Sequence, residues 1–258
     1  MNEIDVRESI NLSLTAEEYN DFLRCLINLK EESNDIDIKN GYIRQRSNDK
    51  TSIFQVDLSS ILKDASFAVS DIKKKIDLLK IFAGQDVNLE IVEGTNGYFI
   101  FSDQYSNLKF MSPAYQFIDN KFMTEAELDA IFDIQENELI LEHEMERTIT
   151  ERIRIITSSF NVKSIQVEFE GENATIKAGT QAKDQFAKFA ENITTNVVFD
   201  RSSANISVIP FSIDHDEEVE FKMYKKQDQM ITLNTFKTLI GDCEMTIYTR
   251  SSLINDED

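Results

Sequence analysis

The two halves of this sequence repeat one pattern of apolar residues. In the 258-residue chain, a shift of 130 positions superposes three apolar pairs and one cationic pair: Tyr19 on Ile149, Leu23 on Ile153, Leu26 on Ile156 and Arg24 on Arg154. The length allows either one large domain or two domains of roughly 130 residues. Because the shift is close to half the chain length, the simplest interpretation is two copies of one fold.

The first copy is predicted to run strand, helix, antiparallel strands, helix, strands. Thr15 and Glu18 have the spacing of a capping box, so a helix is predicted to start there. Asn40 and Gly41 form the pair that best suits a two-residue hairpin turn. Strand patterns occur at 10–14, 35–39, 42–46, 51–58, 65–69, 87–92, 98–101 and 108–111.

A short helix predicted at 70–84 carries an unusual group of lysines. Ser70 can cap this helix, apolar residues at 72, 76 and 79 define its buried side, and Gly84 can end it. Four lysines are expected to remain outward: Lys73, Lys74, Lys75 and Lys80. In a chain with a formal net charge of −20, such a cluster favours contact with an anionic partner, and the alternative is an ordinary solvated surface.

The second copy is predicted to contain a longer helix. Its apolar residues recur at spacings of four or three: Leu141, Met145, Ile149, Ile153, Ile156 and Phe160. Arg147 and Arg154 are seven positions apart and are expected on the outer face of this helix, with Arg152 nearby.

Other parts of the second copy are less regular. A hairpin around Gly171 is predicted after the long helix, and 234–240 are predicted to form a second helix that ends at Gly241. Residues 181–192 fit either a helix or a loop, and 130–135 are a candidate first strand of this copy.

The composition favours a globular, acidic protein. Hydrophobic residues make up 41% of the chain and charged residues 29%, and no apolar run approaches the roughly 20 residues of a membrane helix. Residues 1–10 lack the basic start and apolar core of a secretory signal. The two cysteines, Cys25 and Cys243, lie in apolar elements, so free buried thiols in a cytoplasm-like compartment are expected, although a single disulfide is possible.

Catalysis is not expected. His215 lies in the acidic stretch 214–218, which offers no fixed ligand set for a metal, and His143 has only glutamates beside it. Neither histidine belongs to a nucleophile motif, and the seven glycines are interpreted as turns or helix ends, so no phosphate-binding loop is predicted. We therefore predict a protein without enzymatic activity, metal or cofactor, and keep a carboxylate-based nuclease only as a remote alternative.

Three stretches resemble the DNA polymerase sliding clamps of bacteriophages, archaea and eukaryotes, the proliferating cell nuclear antigen type. They are SIFQVDLSSIL at 52–62, FAVSDIKKKIDLLKIFAGQDVNLEI at 67–91 and ITLNTFKTLIGDCEMTIYT at 231–249. The resemblance implies an α+β fold of two repeated clamp domains, with antiparallel sheets outside and helices lining the interior of a ring. The expected boundaries are 1–112 for the first domain, 113–129 for a connector and 130–258 for the second domain.

The same resemblance implies a function in DNA replication. Three subunits would close into a homotrimeric ring around duplex DNA, and the ring would tether DNA polymerase and other replication proteins after placement by a clamp loader. The residues expected to face DNA are Arg24, Lys73, Lys74, Lys75, Lys80, Arg147, Arg152 and Arg154. Their contacts would go to phosphates and carry no sequence information. A bacteriophage protein in the host cytoplasm is the expected setting.

A pocket for partner peptides is implied beside the connector and the C-terminal end. Its candidate walls are Phe117, Ile118, Leu128 and Tyr248. The acidic connector favours peptides with basic flanks.

The chain's acidity also fits an alternative function. An acidic decoy that mimics DNA and inhibits a nucleic-acid-binding protein would use its negative outer surface, and lysines 73–75 would then be dispensable.

Overall fold

The structure is a computed structural model that describes residues 9–92, 97–113, 115–119, 121–132, 134–182, 185–226 and 229–255. The chain divides into two compact units. Unit 1 comprises residues 1–124 with 240–245, and unit 2 comprises 125–239 with 246–258. The boundary at 124/125 falls inside the predicted connector.

Unit 1 follows the predicted order of elements. Its strands are β1 (Ser9–Leu14), β2 (Ile36–Lys39), β3 (Tyr42–Arg46), β4 (Ser52–Asp57), β5 (Phe67–Val69), β6 (Val87–Val92), β7 (Tyr98–Ser102) and β8 (Asn107–Met111). Its helices are α1 (Ala16–Leu29), α2 (Ser59–Leu62) and α3 (Ile72–Leu79), with 3₁₀ turns at Lys80–Phe82 and Tyr115–Phe117.

The strands of unit 1 form two antiparallel arrangements, β1–β6–β7–β8 and β5–β2–β3–β4. The hairpin between β2 and β3 turns at Asn40 and Gly41, with φ values of 50° and 77°. These positive values explain the residue pair, since Asn and Gly tolerate the left-handed region best. A β-carbon at Gly41 would also collide with the Lys63 carbonyl oxygen.

Helix α1 packs into an aromatic core. The predicted capping box is confirmed: Glu18 N donates to Thr15 Oγ1 at 3.3 Å, and Thr15 N donates to Glu18 Oε2 at 2.7 Å. Tyr19 and Phe22 are fully buried against Phe101, with ring centroids 5.7 and 5.9 Å away. The Tyr19 hydroxyl donates to Leu79 O at 2.8 Å, which attaches α1 to the end of α3.

Unit 2 contains the second set of elements. Its helices are α4 (Glu125–Ile131), α5 (Arg147–Ser159) and α6 (Ile209–Ser212), with a 3₁₀ turn at Ile134–Glu136. Its strands are β9 (Glu138–Met145), β10 (Ser164–Ala182), β11 (Gln185–Ser207), β12 (Val219–Lys225), β13 (Ile231–Ile240) and β14 (Cys243–Asn255). The turn between β13 and β14 is grouped with unit 1.

Within unit 2, neighbouring strands follow the order β14–β13–β12–β9, and β10 and β11 form a long antiparallel hairpin that reaches β14 through residues 202–204. The predicted hairpin around Gly171 is wrong, because Gly171 lies inside β10, opposite Phe199 and between two register shifts. Residues 181–192 belong to this long hairpin, apart from 183 and 184, which lie outside the described residues.

Three further sequence predictions in unit 2 are wrong. Residues 234–240 belong to strand β13, and Gly241 with φ 56° lies in the turn after that strand. The predicted strand at 130–135 overlaps the end of α4 and a 3₁₀ turn. Leu141 and Met145 lie in β9, so α5 is shorter than its apolar spacing indicated.

The two cysteines are free and buried, as predicted. Hydrogen bonding with Cys243 and burial raise the pKa of Cys25 well above its usual value. In the described part of the chain, no helix has the length and apolar character needed to cross a membrane.

Candidate nucleic-acid interface and partner surface

Helix α3 and the 3₁₀ turn that follows it expose three of the four predicted lysines. The buried side of α3 consists of Ile72, Ile76 and Leu79, as the sequence predicted. The side chains of Lys73, Lys74 and Lys80 are 51%, 84% and 49% exposed. Their ammonium groups are therefore available to an anionic ligand.

Lys75 departs from the prediction that all four lysines point outward. It is half-buried, and its Nζ donates to Ser70 Oγ at 3.0 Å and lies 5.7 Å from the Phe110 ring centroid. Burial lowers the pKa of Lys75. The prediction that Ser70 caps α3 is wrong, because the residue at the cap position is Asp71, in the left-handed region with φ 50°.

Carboxylates partly compensate the exposed lysines. Lys73 Nζ lies 2.7 Å from Glu31 Oε2, Lys80 Nζ lies 3.0 Å from Asp77 Oδ1, and Lys74 Nζ lies 3.9 Å from Asp71 Oδ1. Exposed ion pairs of this kind contribute only about 0–1 kcal/mol. Phosphates can therefore compete for these lysines, and the resulting attraction is weak and sensitive to salt.

Helix α5 presents the predicted arginines beside a small cleft. Arg147 and Arg154 line this cleft together with Asp214 and His215, and Arg152 is exposed. Arg147 also pairs with Glu151, whose Oε1 lies 3.3 Å from Arg147 Nε.

His215 has a structural environment. Its ring is 4% exposed, and its Nδ1 lies 2.6 Å from Glu217 O, which can only accept, so Nδ1 carries the proton. Nε2 lies 2.9 Å from the Thr150 hydroxyl oxygen, and burial lowers the pKa of His215, which favours the neutral ring. These bonds attach α5 to the 214–218 loop. Among the described residues, no group of three or more His, Cys, Asp or Glu side chains is arranged to hold a metal ion.

Helix α1 offers less positive charge than the sequence suggested. Arg24 has a side chain that is 29% exposed, and its Nη1 lies 3.8 Å from Asp21 Oδ1. The helix also carries Glu17 and Glu18 in its first turn. Of the predicted DNA-facing residues, those on α3 and α5 are therefore better presented than Arg24.

The predicted pocket residues are divided between the two units. In unit 1, Phe117 is 70% exposed and its neighbour Ile118 is buried. In unit 2, Leu128 on α4 is buried, and Tyr248 on β14 lies 5.2 Å from Phe132 between ring centroids.

Sequence reasoning missed two residues that attach α4 to β14. Arg250 donates to Ile131 O, and its guanidinium carbon lies 5.3 Å from the Phe132 ring centroid. Phe132 follows Leu128 by four positions, so helical spacing was the available signal, but the predicted strand at 130–135 obscured it.

Exposed apolar residues occur in both units. In unit 1 they include Leu78 and Ile81 at the end of α3, and Met111, which is 56% exposed on β8. Strand β8 ends its sheet order and pairs with β7 alone among the described strands. In unit 2, Ile155 on α5 and Val198 on β11 are exposed.

Comparison with known proteins identifies the fold. No family model matches the sequence, and no curated protein matches it. Solved clamp structures do match its fold, although their sequences are only 12–14% identical.

Three of these structures are similar over nearly the whole chain. A structure of the PCNA2-PCNA3 complex from Sulfolobus tokodaii matches with a TM-score of 0.57 over 94% of this chain and 99% of that one. The PCNA of A. fulgidus bound to the C-terminal region of FEN-1 matches with a TM-score of 0.58 over 96% and 100%. Proliferating Cellular Nuclear Antigen from Entamoeba histolytica matches with a TM-score of 0.56 over 94% and 98%.

The chain therefore has the sliding-clamp fold, an α+β fold of antiparallel sheets and helices. The match extends over nearly the whole of this chain and of each of the three PCNA chains. The predicted resemblance and fold class are confirmed.

Proposed function

We propose that this protein is a sliding clamp that encircles duplex DNA as a homotrimeric ring and tethers DNA polymerase during replication. The observation that carries the proposal is the likeness to clamp structures, which extends over 94–96% of this chain and 98–100% of theirs. Such a protein acts by binding and has no catalytic step. A clamp loader would place the ring on DNA, and a bacteriophage protein in the host cytoplasm fits this role.

The distribution of charge supports a DNA-enclosing ring. The chain has a net charge of −20, yet Lys73 and Lys74 on α3 and Lys80 in the following 3₁₀ turn are exposed, and α5 contributes Arg147, Arg152 and Arg154. A closed ring is retained on DNA by topology, so strong attraction is unnecessary. Weak contacts to phosphates allow sliding because they do not depend on base sequence.

Exposed apolar groups support self-assembly. An unpaired sheet edge at β8 with exposed Met111 is unfavourable for an isolated chain in water, because such edges readily pair with other strands. Pairing between subunits would cover this edge.

A second proposed surface binds partner proteins. In one similar structure, the C-terminal region of FEN-1 is bound to an archaeal PCNA. For this chain, the candidate residues for partner binding remain those that the sequence resemblance implied: Phe117, Ile118, Leu128 and Tyr248. Exposed Phe117 is the best candidate for an apolar contact with a partner peptide.

The mass of the assembly in solution tests the proposal. A trimer of the 29.7 kDa chain has a mass of about 90 kDa, which light scattering at micromolar concentration resolves from a monomer. Met111→Arg is expected to shift the mass toward the monomer because it places a charge at the proposed contact. Tyr105→Arg is the control, since Tyr105 is 81% exposed in the loop before β8, at the end of the strand opposite to Met111.

A monomer in the unmodified protein would contradict the ring. A monomer that also competes with DNA for a nucleic-acid-binding protein would instead support the acidic DNA mimic.

A further inference from the structure

Asp35 joins two segments of unit 1 that are distant in sequence. It precedes β2 and is 7% exposed. Its Oδ1 accepts a hydrogen bond from Asp71 N at 3.2 Å, and its Oδ2 accepts one from Asp119 N at 3.1 Å. Asp71 directly precedes α3, and Asp119 lies in residues 113–124, which we name the connector arm. One carboxylate therefore bridges the start of the lysine helix and the connector arm.

Asp37 lies two residues further on and makes only one of these connections. It is 1% exposed, and its Oδ2 accepts from Phe122 N at 3.1 Å. Its Oδ1 has no hydrogen-bond partner in the described structure and lies 3.7 Å from Lys39 Nζ. Asp37 thus holds the connector arm without contacting the start of α3.

Buried polar side chains fix the backbone beneath both aspartates. Gln45 is fully buried; its Nε2 donates to Asp35 O at 2.8 Å, and its Oε1 accepts from Asp37 N at 3.1 Å. The connector arm is also attached to β3, because Met123 N donates to Arg44 O at 2.6 Å. With its backbone fixed, the Asp35 side chain can adjust to one of its two donors only by altering its bond to the other.

A route leads from the exposed lysines to this carboxylate. Lys74 Nζ lies 3.9 Å from the side chain of Asp71, whose backbone N–H bonds to Asp35. A phosphate that attracts Lys74 would weaken that ion pair at a residue already held in the left-handed region, with φ 50°. An anion at Lys74 would therefore act on the residue whose backbone N–H bonds to Asp35.

We propose that Asp35 is a positioning residue that couples the start of α3 to the connector arm, so that DNA contact at α3 and partner docking at the connector influence each other. The inference rests on the proposed function for the identity of the two ligands. Coupling of this kind is reciprocal, because two sites that bias one shared element affect each other by the same free energy. The mechanical link itself is a property of the protein without either ligand.

Asparagine substitutions at Asp35 and Asp37 test whether Asp35 couples α3 to the connector arm or only stabilises the structure. An amide has one acceptor oxygen, so Asp35→Asn can satisfy only one of the two backbone donors and turns an N–H₂ group toward the other. Asp37→Asn keeps the single acceptor that Phe122 N requires. The two variants remove the same charge from nearly adjacent buried positions, which makes Asp37→Asn a matched control.

Amide hydrogen exchange of the full-length protein without DNA is the decisive measurement. In Asp35→Asn, the amide that loses its acceptor is expected to exchange about tenfold faster or more, because an unpaired buried donor favours local opening. If the two segments are coupled, exchange at the other amide should increase with it, so both Asp71 and Asp119 should exchange faster. Asp37→Asn is expected to leave both amides within about twofold of the unmodified protein. A change at only one of the two amides in Asp35→Asn, or equal changes in both variants, would overturn the proposal.

The unmodified protein provides a second measurement that does not depend on the folding of a variant. If Asp35 couples the two segments, exchange at Asp71 and Asp119 should respond in parallel to low concentrations of urea. Independent responses would contradict coupling.

A short DNA duplex at low salt then tests the link to function. It should alter exchange at Asp119 in the unmodified protein and not in Asp35→Asn. If the duplex alters neither α3 nor Asp119, the DNA-binding function fails, whereas the measurements without DNA still decide whether the two segments are coupled.

Discussion

Lys75 Nζ donates a hydrogen bond to Ser70 Oγ at 3.0 Å, which turns this lysine away from the exposed face that Lys73, Lys74 and Lys80 share. Helix α3 and its following 3₁₀ turn therefore have three cations available to a ligand and one that belongs to the packing of α3. This difference allows the proposed binding to DNA to be tested separately from stability.

Replacing the three exposed lysines should weaken contact with DNA without unfolding the protein. The variant Lys73→Ala, Lys74→Ala, Lys80→Ala loses up to three phosphate contacts per subunit, and each lost contact reduces the magnitude of the negative slope of log Kobs against log[salt] by about 0.9. Binding to duplex DNA measured across a salt series checks the slope, and circular dichroism checks the fold.

Lys75→Met is the matched control for this triple variant. Because the Lys75 side chain is half-buried and bonded to Ser70, its loss should leave the salt slope unchanged. If Lys75→Met reduced the slope while the triple variant did not, the exposed face of α3 would be wrongly assigned.

Lys75 should also give the protein a distinct pH dependence of stability. Burial lowers its pKa in the folded state, so the folded protein binds fewer protons than the unfolded chain between that lowered pKa and the ordinary value of about 10.4. The contribution of Lys75 to the free energy of unfolding therefore rises as pH increases through that window. At neutral pH, below the window, the buried charge destabilises the folded protein in full.

Urea unfolding at pH 7 and pH 10 tests this dependence. The stability of Lys75→Met relative to the unmodified protein should be greater at pH 7 than at pH 10. Lys74→Ala, which alters an 84% exposed side chain, should show the same relative stability at both pH values. An identical pH response in the two variants would contradict the burial of Lys75.

Much of unit 1 could be predicted from sequence because its signals are local. The capping box at Thr15 and the Asn40-Gly41 turn each depend on residues a few positions apart, and both are present in the structure. In contrast, the bonds of Asp35 to Asp71 and Asp119 span 36 and 84 positions, so alternation along β2 could not reveal them.

The misassigned helix in unit 2 has a similar explanation. Residues 234–240 have apolar spacing that suits a short helix, and Gly241 suits a helix end. Pairing with β12 decides the outcome, since Phe236 lies opposite Phe221 and the two rings stack at a centroid distance of 4.6 Å. Tertiary contacts override weak local preference in segments this short.

Asp37→Asn should stabilise the protein in a pH-dependent manner. Burial raises the pKa of Asp37, so the folded state holds its proton more tightly than the unfolded chain, whose aspartates titrate at about 3.9. The contribution of Asp37 to the free energy of unfolding therefore falls as pH rises from about 4 through the raised pKa. At neutral pH, the buried charge destabilises the folded protein.

The uncharged asparagine lacks this destabilising effect. At pH 7, the free energy of unfolding of Asp37→Asn should be larger than that of the unmodified protein. This difference should shrink toward pH 4. Asp77→Asn is a suitable control, because the Asp77 side chain is 79% exposed. An advantage that grew on acidification would show that Asp37 is ionised more easily in the folded state than in the unfolded chain.

Phe117 and Ile118 are adjacent in sequence and should separate partner binding from stability. Phe117 is 70% exposed, so Phe117→Ala should change the free energy of unfolding by no more than about 0.5 kcal/mol. Ile118 is 4% exposed, and Ile118→Ala should cost about 2–5 kcal/mol because it leaves a cavity. Denaturant unfolding measures both.

Although Phe117→Ala should change stability little, it should weaken partner binding strongly. If Phe117 contacts the partner peptide, the variant should form a trimer of unchanged mass and bind DNA with an unchanged salt slope, but stimulate its polymerase much less. Aromatic residues at the centre of an interface commonly contribute 2 kcal/mol or more, which corresponds to a loss of about thirtyfold in affinity. If Phe117→Ala stimulated the polymerase fully, this side chain would not belong to the partner surface. The result would be clear because the exposed side chain contributes little to stability.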